Sequence, residues 1–170
     1  MILFIGDKEI YDFISSITPD VTYDIGIESA EKLIVCDSSD QAISAVRAAT
    51  LINLPVLGIL GGHNAVASAC QLRFENCESC SEGKQEFAIL DTSSPIFKGL
   101  ETVIKICRGN PTVLIPAALT GGFDCTARAE TGEIVAFASQ ESKIYAVNFH
   151  LSSGLTPDGK RIIKNFIDNI

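Results

Sequence analysis

The sequence predicts an α/β fold, a mostly parallel central sheet with helices on both faces. Three features carry that reading. Strand-like and helix-like segments alternate through the first half, the order that builds a parallel sheet. The strand candidates there are continuous apolar runs, as expected when both faces of a sheet are covered. The 170 residues are 46% hydrophobic and 20% charged, which is enough apolar material for a core and the reverse of a disordered composition. Residues 1–170 are read as one domain, since the length suits one and no repeat, low-complexity segment or linker divides the chain.

The elements follow in order. Residues 1–5 form an apolar run that ends at Gly6, a buried strand. Ile10, Phe13, Ile14 and Ile17 recur at helical spacing until Pro19 closes the segment. Residues 21–25 and 32–36 read as the second and third strands. The cluster Asp37-Ser38-Ser39-Asp40 supplies side-chain oxygens that can cap a helix over 41–51. After a turn at Asn53-Leu54-Pro55, residues 56–60 are a fully apolar strand. Gly61-Gly62 breaks it, and 63–72 has helical character. Residues 87–90, 102–107, 113–116, 134–138 and 144–149 read as strands, a strand-rich half that predicts a mixed sheet or an added hairpin. Gly121-Gly122 reads as a hairpin turn. A closing helix over 157–170 carries Ile162, Ile163, Phe166, Ile167 and Ile170 on one face.

Composition excludes several classes of function. A net charge of −8, a pI near 4.7 and the lack of any basic run argue against nucleic acid as a partner. No stretch approaches the roughly 18 apolar residues of a membrane span, and the opening apolar run is too short for a signal peptide. The expected location is therefore cytoplasmic, with the six cysteines at 36, 70, 77, 80, 107 and 125 reduced. Cys77-Glu-Ser-Cys80, with Cys70 upstream, has a Cys-x-x-Cys spacing. A zinc site would need a second pair or matched histidines, and a redox dithiol is expected at a helix start, whereas Glu75 to Gly83 reads as a polar loop. The expectation is no metal and no cofactor. A metal or redox module on Cys70, Cys77 and Cys80 is the alternative that bound zinc or iron would reveal.

The segment Pro55-Val-Leu-Gly-Ile-Leu-Gly-Gly-His-Asn64 carries most of the chemical information. It is an apolar strand, a glycine-rich sharp turn and a helix, the elbow that presents its central residue at the carboxyl end of a sheet. A cysteine there would have a lowered pKa and act as a nucleophile; an ordinary strand-to-helix turn has the same local pattern. The stretch resembles the elbow of the class I glutamine amidotransferases, Pro-Val/Ile-Leu-Gly-Ile-Cys-Leu-Gly-His-Gln, through Pro55, Val56, Leu57, Gly58, Ile59, Gly62 and His63. Ile144-Tyr-Ala-Val-Asn-Phe-His150 is similar to the family's Tyr-Gly-Val-Gln-Phe-His. Ile89-Leu-Asp, Ile96-Phe-Lys-Gly-Leu100 and the closing segment from Gly159 to Ile167 resemble the glutaminase subunit of GMP synthase, especially the archaeal separate-subunit type. The resemblance covers nearly the whole chain and implies the family's flavodoxin-like fold.

The departures fall on the chemistry. Leu60 stands where the resemblance implies the nucleophilic cysteine, and Asn64 where it implies glutamine. His150 matches the family's catalytic histidine. The Pro-Glu that follows is replaced by Leu151-Ser152, and Ser152 supplies no negative charge to orient that histidine. The family's oxyanion loop, Ser-Gly-Gly-Pro, corresponds to Cys36-Asp37-Ser38-Ser39. Its Ser-His-x-Asp region corresponds to Arg108-Gly109-Asn110-Pro111-Thr112. The resemblance thus implies a degenerate amidotransferase-like protein, a non-catalytic binding or regulatory subunit whose enzyme activity is lost. Its crevice would be lined by Asp37, Ser38, Gly58, Gly61, Gly62, His63, Arg108 and Asn110 and would face a synthetase-type or other protein partner. His63 is read as holding the turn, and Asp37, Ser38, Arg108 and Asn110 as lying outside the core. The rival is an active glutaminase subunit supplying ammonia to a synthetase. A nucleophile relocated to Cys36, which lies at a strand end, is a further alternative.

Overall fold

The computed structural model describes residues 1–170. The chain runs β1 (Ile2–Ile5), α1 (Lys8–Ser15), β2 (Val21–Thr22), β3 (Lys32–Val35), α2 (Asp40–Leu51), β4 (Val56–Ile59) and α3 (Gly61–Ala69). It continues through β5 (Phe74–Asn76), β6 (Gln85–Leu90), β7 (Val103–Cys107), β8 (Thr112–Leu114), β9 (Asp124–Ala129), β10 (Ile134–Ser139), β11 (Ile144–Val147) and α4 (Gly159–Asn169). Nine strands form one sheet in the order β2-β1-β3-β4-β11-β10-β9-β6-β7, and β5 pairs with β8 in a separate ribbon. The strands from β2 to β11 in that order are parallel to their neighbours, and those from β10 to β7 are antiparallel. This is the α/β architecture the sequence predicts, with the strand-rich half added as an antiparallel extension.

Alternation along the strands sorts side chains into two layers. Tyr145 and Val147 of β11, Leu57 of β4 and Phe4 of β1 pack with Ile10 and Ile14 of α1 and Ile162, Ile163 and Phe166 of α4. Ile144 and Ala146 of β11, Val56 of β4 and Leu33 and Val35 of β3 meet Ala42, Val46 and Ala49 of α2 and Ala65 and Val66 of α3. The small residues on α2 and α3 let those helices lie close to the sheet.

Helix starts differ from the sequence reading where capping decides them. Asp7 accepts a hydrogen bond from the Ile10 amide at 3.0 Å, so α1 starts at Lys8. Ser39 accepts from the Ala42 amide at 3.2 Å, so within the predicted capping cluster Ser39 is the cap and Asp40 is already the first residue of α2. The strand ends before Gly61-Gly62 as read, but the helix expected from 63 starts at Gly61, so the two glycines form the first turn of α3. Gly121-Gly122 is not a hairpin turn. It follows a short 3-10 turn at Pro116–Ala118 and leads into β9, and the strands on either side, β8 and β9, belong to different sheets. The strand predicted over 21–25 stops at Thr22. Neither β5 nor β9 is predicted by the sequence pattern; β9, Asp124-Cys-Thr-Ala-Arg-Ala129, carries no branched aliphatic residue and is held between β10 and β6.

The tightest packing in the fold is glycine on backbone. A Cβ at Gly58 would sit 2.4 Å from the Gly62 carbonyl oxygen, and one at Gly62 would sit 1.8 Å from the Val35 oxygen. No side-chain rearrangement relieves a clash with backbone. Gly62→Ala is therefore expected to cost about 3 kcal/mol, the upper end for overpacking, or to prevent folding. Gly154, where a Cβ meets nothing within 4 Å, is the control: Gly154→Ala should stay within about 0.5 kcal/mol of the wild type. Urea unfolding of the two variants measures both.

Candidate functional site

The carboxyl ends of β1, β3, β4 and β11 lie side by side and carry Gly6, Cys36 to Ser39, Leu60 and Asn148 to His150. Leu60 is the apex of the elbow. Its backbone lies at φ 56° and ψ −113°, a conformation that costs a non-glycine residue about 1–3 kcal/mol and persists only where its surroundings enforce it. The enforcement is visible. The Leu60 amide donates to Val147 O at 3.0 Å, the Leu60 carbonyl accepts from the His63 amide at 2.9 Å, and Gly58 and Gly62 close on each other. The side chain of Leu60 is half-buried and packs against the core layer that contains α1 and α4.

The other crevice candidates fall into two groups. Asp37 and Asn110 are half-buried, Ser38 is exposed and Gly61 is half-buried at the start of α3. A Cβ at Gly61 would lie 2.9 Å from Cys36 O, so the loop after β3 rests on the elbow. The Asp37 carboxylate accepts from the Ser39 amide at 2.9 Å and the Ser39 hydroxyl at 2.6 Å, which turns it toward the start of α2. Gly58, Gly62, His63 and Arg108 are buried. Of these four Arg108 was expected outside the core and is corrected; as crevice positions, the two glycines are the packing contact itself, and the His63 and Arg108 side chains point inward.

His63 is wholly buried, edge-on to Phe137 with ring centroids 5.0 Å apart. Its Nδ1 lies 3.0 Å from Asn64 Oδ1, which also accepts from the Thr112 hydroxyl at 3.1 Å. Burial, and to a lesser degree the charge of Arg108, pull the imidazole pKa down to about 4, against the Asn64 hydrogen bond. The ring is therefore neutral near pH 7, with Nδ1–H donating to Asn64 and Nε2 unpartnered. His63 thus sits in the first turn of α3, packed against Phe137.

Arg108 was expected to border the crevice, yet its side chain is 2% exposed. The reason is that the chain beyond β7 does not leave the sheet as a loop. Arg108 bridges Phe149, its amide donates to Lys84 O at 2.8 Å, and the Gly109 amide donates to Asn148 O at 3.1 Å. The guanidinium is drawn under this segment, donating to Glu86 Oε1 at 2.6 Å and reaching Cys80 Sγ at 2.8 Å.

Asn148 is the organising residue that sequence reasoning missed. It is buried, accepts from the Asn110 amide at 2.9 Å, and donates to Asn110 O at 3.1 Å and Thr112 O at 3.0 Å. The available signal was its place in the Val-Asn-Phe-His segment beside the elbow. His150 is half-buried with its amide donating to Cys107 O at 3.0 Å, and Ser152 is half-buried two residues later. Cys36 is buried with its thiol pKa raised well above the ordinary value by desolvation, so it lacks the thiolate character a relocated nucleophile needs. The expectation of six free thiols is also corrected: a turn in which the Cys80 amide donates to Cys77 O brings the two Cα atoms to 5.3 Å, and Cys77 and Cys80 are disulfide-bonded. No helix is long and apolar enough to cross a membrane.

An open α/β sheet with a strained, glycine-braced elbow at the end of a central strand, flanked by the loops of the neighbouring strands, is the scaffold of a class I amidotransferase domain. The profile of the family "Glutamine amidotransferase class-I" matches residues 29–170, and the chain belongs to that family. It is 31% identical over 114 residues to aminodeoxychorismate synthase component 2 of Escherichia coli, covering 67% of this chain and 60% of that one. It is 36% identical over 119 residues to a glutamine-hydrolyzing GMP synthase of Caldicellulosiruptor saccharolyticus, covering 70% of this chain and 23% of that one. The chain thus spans less than two-thirds of the length of these relatives. Its fold matches the crystal structure of a protein from Thermoplasma acidophilum described as a subunit of GMP synthase, with a TM-score of 0.80, 20% identity, and 98% and 92% of the two chains covered.

Two outcomes follow from the buried groups. Arg108→Ala should cost about 2 kcal/mol or more, because it strands Glu86 and leaves a void, whereas Ser38→Ala should stay within about 0.5 kcal/mol; thermal unfolding of both variants checks this. His63 has a folded pKa below its unfolded value, so the unfolded state takes up a proton first and stability falls as pH drops from about 6.5 to about 4. Between pH 7.5 and 5 the wild type should lose about 2 kcal/mol relative to His63→Gln. Urea unfolding at the two pH values measures the difference, and equal losses in both proteins would contradict the assignment.

Proposed function

We propose that this chain is a class I amidotransferase domain without glutaminase activity, serving as a binding or regulatory subunit whose crevice face docks a protein partner. The carrying observation is Leu60 at the elbow apex. The family reaction requires a thiolate to attack the glutamine amide carbon, and an isobutyl side chain has no nucleophilic atom. Its side chain is half-buried and packs onto the core. Five surface cavities, of about 240, 430, 460, 750 and 470 Å³, are lined by residues other than Leu60 and His150. The oxyanion side supports the same reading, since Asp37 brings a carboxylate to a loop that would have to stabilise negative charge.

The partner reading rests on kinship. Relatives are named as a component or subunit of a synthase, so a synthetase-type protein is the proposed occupant of the face that carries Ser38, Gly61 and Asn110. The proposal treats residues 1–170 as one working domain in the cytoplasm, with no metal or cofactor in the site and no nucleic-acid or membrane partner.

A second reading, an active glutaminase subunit that feeds ammonia to a synthetase, draws on the retained backbone strain at Leu60 and on His150 at the adjacent strand end. Ammonia release from glutamine separates the two. The purified protein, alone and with candidate synthetases, should stay below about 0.1 turnovers per second, well under the usual enzymatic range. A higher rate would overturn the proposal, and its loss in Cys36→Ser would assign the nucleophile to that strand end. Leu60→Cys alone should restore little, because the orienting carboxylate and oxyanion loop remain absent and such parts act as a unit.

A further inference from the structure

We propose that Cys77 and Cys80 form a thiol–disulfide exchange centre, with Cys80 as the reactive sulfur and Arg108 as the group that activates it. The pair lies in the loop between β5 and β6, beside a cavity of about 460 Å³ lined by Ser79, Cys80, Glu86, Arg108 and Glu133 among others. Both cysteines are half-buried, so a small thiol or disulfide can reach them. Their Cα separation of 5.3 Å is within the normal span for a disulfide, and they lie only three positions apart in the chain.

The side chain that distinguishes this pair is Arg108. Its Nη2 lies 2.8 Å from Cys80 Sγ, its other branch is anchored on Glu86, and its Nε has no protein partner. A permanently charged, water-excluded guanidinium against a sulfur favours the thiolate when the bond is reduced. The Glu133 carboxylate opposes it from farther away, at 3.7 Å. Three of the other cysteines lack such help. Burial raises the thiol pKa of Cys36 and Cys125 and lifts that of Cys70 to about 11. Reactivity should therefore concentrate at Cys80.

The exchange balances with a low-molecular-weight disulfide as oxidant. The Cys80 thiolate attacks one sulfur of RSSR, breaking its S–S bond and releasing RS⁻. Cys77, on losing its proton to solvent, attacks Cys80 Sγ in the mixed disulfide and releases the second RS⁻. The protein dithiol is oxidised by two electrons, the small disulfide is reduced to two thiols, and reduction of the protein is the reverse. Sulfur and carboxylate atoms of Cys77, Cys80 and Glu133 lie within 4.8 Å of one another, which raises a metal site as the rival. The guanidinium decides against it, since a dication at those atoms would sit against a buried positive charge.

The test uses the whole chain in glutathione buffers of graded ratio, with free thiols trapped by alkylation and located by mass spectrometry. Cys77 and Cys80 should switch together within the range those buffers span, while the other four stay reduced. In the reduced protein at pH 6.5, Cys80 should alkylate about tenfold or more faster than Cys70 or Cys125, and Arg108→Gln should remove most of that advantage while Arg108→Lys retains part of it. Should Arg108→Gln fail to fold, the pH profile of Cys80 alkylation in the wild type gives the same answer, through a midpoint below that of an ordinary thiol. Stoichiometric zinc or iron that protects both cysteines would overturn the proposal, as would alkylation of Cys80 at the rate and midpoint of an ordinary thiol.

Discussion

The approach of α3 to the sheet through Gly58 and Gly62 is the contact on which the rest of the molecule depends. With hydrogens in place of side chains at both positions, the first turn of α3 sits directly on β4 and on the Val35 carbonyl of β3. That closeness forces the sharp turn and the left-handed backbone at Leu60, because the chain has one residue in which to reverse from strand to helix. It also fixes the loop after β3, which rests against Gly61, and so determines the shape of the whole carboxyl edge. Nothing in this arrangement requires the apex side chain to do chemistry. The geometry is a packing solution, and the residue at its apex, with φ at 56°, is aliphatic.

The framework was legible in the sequence where one force acted alone. The segments 56–60 and 32–36 were read as strands from their apolar runs, and the cluster Asp37 to Asp40 and the Ile162-Ile163-Phe166 stripe marked α2 and α4 closely. The elbow was legible through its resemblance to a known pattern, but the contact between Gly58 and Gly62 came only from the structure. What failed were segments whose environment comes from far away in the chain. Residues 108–112 look like a polar loop, with Arg, Gly, Asn and Pro, and a loop reading puts Arg108 in solvent. The structure buries it because Phe149 and Asn148, some 40 residues on, supply backbone and amide partners that no local pattern announces. The strand β9 was hidden in the same way, for its pairing to β10 and β6 stands in for the branched residues it lacks.

Four of the seven buried polar side chains belong to the elbow or contact the chain around Cys107 to Asn110. His63, Arg108, Asn148 and Thr156 are all inside; His63 bonds its chain neighbour Asn64, and the other three are tied to distant segments by a hydrogen bond or an ion pair. An arrangement of this kind specifies position more than it adds stability, since a satisfied buried pair is often no better than an apolar replacement while a broken one is costly. Segment 108–112 is held by such bonds to β6, to the end of β11 and to the start of α3. It has little freedom to shift independently of the elbow.

The place of β11 has a consequence for how this chain can fold during synthesis. Within residues 1–170 the strand furthest along the chain, β11, is inserted between β4 and β10, at the middle of the sheet. Until residues 144–147 leave the ribosome, β4 has an open edge, the Leu60 amide has no Val147 carbonyl to meet, and residues 110 and 112 have no Asn148. Partners separated by more than 80 residues must find one another late, the situation in which long-range pairing is slow and strand edges stay exposed. Residues 1–51 can gather β1, β3 and α2 early, but the crevice edge takes shape only once β11 has joined β4. A nascent chain stalled before β11 would present β4 as an unpaired apolar strand, the segment most in need of shielding by a chaperone.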